Sequence, residues 1–72
     1  MIKFDCVVNC GTDNAAFPKF IGKVQNFSDL KYSFDSEKTF FQGVVENKTF
    51  INFLSLLDSF KFYAKVKKKI LH

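Results

Sequence analysis

Seventy-two residues with a formal net charge of +4 make one small domain, residues 1–72, and a chain this short buries only about 60% of its unfolded surface. All eleven basic residues are Lys, and eleven Phe with two Tyr and no Trp supply most of the bulk. One His, at position 72, and two Cys argue against a catalytic triad or a zinc centre, and no apolar run approaches the ~20 residues that span a bilayer.

Met1 to Asn9 alternates. Ile2, Phe4, Cys6 and Val8 fall on one face and Lys3, Asp5 and Val7 on the other, which predicts a half-buried first strand. Cys6 and Cys10 lie four apart. In an extended strand their Cα atoms would be about 13 Å apart, beyond the reach of a disulfide. Two reduced thiols and no signal-like segment lead us to expect an intracellular, cytoplasmic protein.

Cys10 to Phe17 reads as a loop, with Gly11 and the turn-formers Thr12, Asp13 and Asn14. A helix is predicted to open at Pro18, because proline is tolerated at the first helical position and disfavours the helical conformation at Phe17. Phe20, Ile21, Val24 and Phe27 line its inner face, while Lys19, Lys23 and Asn26 face out.

Leu30 to Asp35 alternates again, and Asp35 to Lys38 suits a hairpin turn. Thr39 to Glu46 is rich in strand formers, yet its register is open: Phe41, Gly43 and Val45 oppose Phe40, Gln42 and Val44. A bulge at Gly43 would let the strand switch face midway.

Asn47 to Lys69 carries the strongest pattern. Phe50, Phe53, Leu54 and Leu57 share one helical face, widened by Leu56, with Asn47 or Thr49 placed to cap the first turn. The period then changes to two, with Phe60, Phe62, Ala64 and Val66 alternating with Lys61, Tyr63, Lys65 and Lys67. Lys67 to Lys69 is the one charge run, and Ile70 to His72 either extends the strand or frays.

The order β-α-β-β-α-β predicts an α+β, ferredoxin-like sandwich: a four-stranded antiparallel sheet with both helices on one face. The first and last strands should be neighbours, through Phe4 and Phe62. If the first helix were only a turn or two, an α+β protein with a single packed helix would be the alternative.

Without a general base or a metal cluster, the expected function is non-enzymatic binding with no cofactor. Two surfaces stand out for a protein partner: the loop with Thr12, Asp13, Asn14 and Phe17, and an edge strand with Lys31, Ser33 and Asp35. The bias toward Lys, Asn, Phe and Ile fits an AT-rich genome, and with it a virus- or phage-encoded modulator or inhibitor acting in the host cytoplasm. The surplus of aromatic rings also fits a homodimer.

A second reading is single-stranded nucleic acid, RNA included, held on the open sheet face by Lys3, Lys61, Lys65, Lys67 and a stacking Tyr63. Against it, the third strand lacks the glycine-and-aromatic signature of an RNA-recognition motif, and no Arg is present. A third reading is a metal-dependent nuclease using Asp5 and Asp13.

Overall fold

The computed structural model describes all 72 residues. Six elements follow the predicted order: β1 (Ile2–Val8), α1 (Phe17–Val24), β2 (Leu30–Phe34), β3 (Thr39–Val45), α2 (Asn47–Phe60) and β4 (Ala64–Ile70). The strands form one antiparallel sheet in the order β2-β3-β1-β4, the ferredoxin-like arrangement with first and last strands adjacent. No helix is long and apolar enough to cross a membrane, which says nothing of a β-barrel.

The core is built from rings. Phe4 of β1 meets Phe50 and Phe53 of α2 at 5.1 and 5.5 Å between centroids, and Phe53 meets Phe41 of β3 at 5.0 Å. Phe20 of α1 packs on Phe41, Phe60 and Phe62, all edge-on. Edge-to-face contacts align ring quadrupoles and add to the burial of area, so few residues suffice to close the core. Cys6, Cys10, Val8 and Val24 fill the gaps between rings. Thr39 is buried among them, and its hydroxyl donates to the Cys10 carbonyl, so no unpaired side-chain polar atom is left inside.

Several local expectations are revised. Helix α1 opens at Phe17, one residue before Pro18, with Ala16 as its cap. Asn14 starts the turn early: its side chain accepts from the Ala16 N–H and its carbonyl from the Phe17 N–H. Phe17 is then held by its own burial and by Phe34, 5.0 Å away. The helix stops at Val24, so Phe27 packs against Phe53 from the following turn rather than from the helix.

There is no bulge at Gly43. Register runs unbroken from Ile2 opposite Val45 to Val8 opposite Thr39, with Phe41 and Val45 buried and Phe40 and Val44 exposed. A Cβ at Gly43 would lie 2.9 Å from the Asp29 carbonyl oxygen, so the glycine serves close approach, not a change of face.

Glu46 stands at the cap position of α2 without a side-chain cap bond, and Asn47, expected there, is already helical. At the other end, the helix runs through Phe60 and closes at Lys61, whose φ of 58° is the chain's one positive value outside glycine. The Phe62 N–H donates back to the Leu57 carbonyl, a wrapped C-terminus that satisfies an otherwise free acceptor. Phe60 and Lys61 therefore do not belong to the last strand, and β1 Phe4 faces Lys68 instead of Phe62. Leu54, expected inside, stays 37% exposed.

Candidate functional site: the outer sheet face and the edge strand β4

Strand pairing places the outward side chains in rows. Ser33, Phe40, Val7 and Lys65 form one row across the sheet, Lys31, Gln42, Asp5 and Lys67 the next, and Val44, Lys3 and Lys69 a third. No helix covers this side. Phe40, Val44 and all five lysines are exposed, and Tyr63 stands just ahead of β4, its carbonyl accepting from the Asn9 N–H.

Charge is segregated onto this face. Lys3, Lys31, Lys65, Lys67 and Lys69 stand against Asp5 alone, a difference of +4. The remaining six lysines are matched by six carboxylates, so the face carries the whole formal net charge of the chain. Asp5 faces Lys67, but Lys3 faces Lys69 directly. Like charges in opposed positions destabilise a sheet, so this pair is maintained at a cost.

The helix side of β4 is the second feature. Phe50, Phe53 and Leu57 centre α2 over β1 and β3, and α1 has only eight residues, about 12 Å of helix. Neither reaches over β4 beyond Ala64, which packs against the core. Every residue from Lys65 to Ile70 is exposed, including Val66 and Ile70 in the inward register. On α2, the half-buried flank of Thr49, Leu56 and Phe60 faces α1, through Phe60 on Phe20. The opposite flank, with Ile51 and Leu54, therefore lies toward β4, as the Lys68 ammonium 5.6 Å over the Phe50 ring also indicates. Beyond Ile70 the Leu71 N–H donates to the Met1 carbonyl and continues the pairing with β1. Ile51, Leu54, Val66 and Ile70 thus leave an apolar strip beside a strand whose outer backbone edge is unpaired.

Of the residues expected to hold nucleic acid, Lys3, Lys65 and Lys67 share the outer face and Tyr63 flanks it. Lys61 does not join them, because the left-handed turn at the end of α2 takes it off the strand. Lys31, Lys69 and Phe40 complete the face. Their parity in the strands was the available signal, and for Lys69 it depended on how far β4 continues.

Of the residues expected to meet a protein partner, all but Lys31 are gathered at one end, mostly in structural roles. The Thr12 and Asp13 N–H groups donate to the Asp35 and Ser36 carbonyls, docking the loop on the β2–β3 hairpin. The Asp35 carboxylate accepts from the Glu37 and Lys38 N–H groups, which hold it below the usual carboxylate range. Asn14 starts α1, Phe17 is buried, and Lys31 and Ser33 remain free on edge strand β2.

Asp5 sits mid-sheet and Asp13 on the docked loop beyond the end of β1, so the two are not brought into one site. Both cysteines are free and buried. Burial pushes the Cys6 thiol up to about 11 and raises Cys10 as well, so neither is an activated nucleophile. Comparison with protein-family models, curated proteins and solved structures finds no match.

Proposed function

We propose that this chain is a small non-enzymatic protein that works by binding another protein, with β4 as its working element. One observation carries the reading: β4 is a seven-residue edge strand whose residues from Lys65 to Ile70 are exposed on both faces and whose outer edge is unpaired. Such an edge adds a partner strand through backbone hydrogen bonds, with side-chain contacts supplying specificity. The opposite edge, β2, is shorter, at five residues, and Phe34 at its end touches Phe17 while staying 49% exposed. Two buried free thiols and the AT-rich residue usage support a cytoplasmic setting and a virus- or phage-encoded modulator of a host protein.

Selection of a random peptide library on the immobilised chain tests this. Peptides should be enriched whose binding disappears with Val66→Asp and Ile70→Asp and survives Ser33→Asp on β2. Enrichment that ignores the β4 changes would overturn the reading.

A second reading, single-stranded nucleic acid on the outer face, is favoured by the concentration of net charge there beside exposed Phe40 and Tyr63. It predicts oligonucleotide binding that falls steeply with salt and is lost on Lys65→Glu with Tyr63→Ala.

A further inference from the structure

We propose that β4 takes up an extended segment of a partner protein in which acidic residues alternate with apolar ones. This rests on the reading of β4 as the working element and assigns the chemistry of what it binds. Side chains alternate along a strand with a period of two, so the edge offers two different surfaces to an added strand. Toward the outer face stand Lys65, Lys67 and Lys69; toward the helices stand Val66, Lys68 and Ile70, the Lys68 ammonium drawn back over the Phe50 ring, beside Ile51 and Leu54 of α2. A partner strand with carboxylates at one parity would face the three ammonium groups. Apolar side chains at the other parity would cover the strip that α1 and α2 leave open. Because the period is two in both strands, this match holds whichever way the partner runs.

The lysines also decide against the simplest occupant, a second copy. Antiparallel self-pairing centred on Lys67 sets Lys67 against Lys67 and Lys65 against Lys69. Centring on Val66 sets Lys65 against Lys67, and centring on Lys68 sets Lys67 against Lys69 and Lys68 against Lys68. Each of these three registers, the ones that pair most of β4, opposes like charges, which repel across a strand pair. The lysines that keep copies apart are the ones that would select an acidic partner. Nucleic acid meets only half of the surface, since phosphates gain nothing from Val66, Ile70, Ile51 and Leu54.

The test is titration of the isotope-labelled full chain with capped seven-residue peptides, read by amide chemical shifts. The Val/Glu alternating peptide should bind about tenfold tighter than the Val/Gln peptide, moving the amides of residues 64–70 and weakening with added salt. Lys67→Glu with Lys69→Glu should reverse the preference toward a Val/Lys peptide, a gain that a misfolded variant cannot produce. Equal binding of the Val/Gln peptide would overturn the acidic preference and leave β4 as the working element. Equal binding of a shuffled Glu-block peptide or a single-stranded oligonucleotide, with shifts at Lys3, Lys31 and Phe40, would overturn both. A doubled mass by light scattering without peptide, abolished by Ile70→Asp, would assign the strip to a second copy and overturn the inference.

Discussion

At the scale of single residues, space and solvation decide what each position tolerates. Gly11 is buried where the loop crosses the hairpin: a Cβ there would lie 2.4 Å from the Asp35 carbonyl oxygen and 2.5 Å from Glu37 N and Ser36 C, all backbone atoms. Gly22 has nothing within 4 Å. Gly11→Ala should therefore cost about 1–3 kcal/mol as overpacking, and Gly22→Ala should gain up to about 1 kcal/mol of helix propensity. Urea melts should move in opposite directions for two chemically identical changes. In sequence Gly11 reads as a loop residue and Gly22 as a helix residue, but the close approach of residues 35–37 to Gly11 is invisible along the chain. Cys6 gives a pH prediction. Its thiol is raised in the folded state, so the unfolded chain ionises first as pH rises. The stabilisation is complete below pH ~9 and lost as pH climbs through about 11. Wild type should lose stability more steeply than Cys6→Ala over that window, read by denaturant midpoint at each pH.

At the scale of elements, ends were harder to read than middles. Alternation in β1 and β2 and the 3.6-residue period of α2 are properties of local sequence, and these elements formed where the pattern placed them. The junction between α2 and β4 was misplaced because Phe60, Lys61 and Phe62 fit either period. What settles it is tertiary: Phe60 and Phe62 stack at 5.3 Å and both meet Phe20, so the chain must reverse between them. Lys61 takes the left-handed conformation that this reversal requires, at a backbone cost that glycine avoids. Lys61→Gly should raise stability by about 0.5–1 kcal/mol, a rise of roughly 2–8 °C in melting temperature for a domain of this size. Phe53 links the elements, touching Phe4, Phe27 and Phe41. Phe53→Ala should cost about 3–5 kcal/mol, a large share of what so small a domain has, with a correspondingly lower urea midpoint and higher amide exchange in both helices.

At the scale of the whole molecule, the sheet divides its labour by face. One side holds the ring-packed core and the other holds the net charge. A matched pair of variants measures that division. Lys3→Glu with Lys67→Glu and Lys19→Glu with Lys48→Glu each bring the formal charge from +4 to 0, since each reversal removes two charges. Only the first pair alters the outer face. It should abolish retention on a polyanion column, and the second should retain a measurable share of it, because a local field and not the total charge governs such binding. Equal losses would mean that the segregation has no consequence for binding.

The amino-acid sequence by itself determined the element order, the ferredoxin-like topology and the inward parity of β1, because hydrophobic period and chain connectivity are local and leave few ways to close a sheet. It also carried Lys3, Lys65, Lys67 and Tyr63 of the outer surface, whose parity follows from the strands that hold or adjoin them. The tertiary structure decided which face Phe40 and Phe41 take, where α2 ends, and that β4 with Ile51 and Leu54 is left uncovered. Those outcomes depend on how far two short helices reach across four strands. That reach is set by packing among distant rings, and no window along the chain contains it.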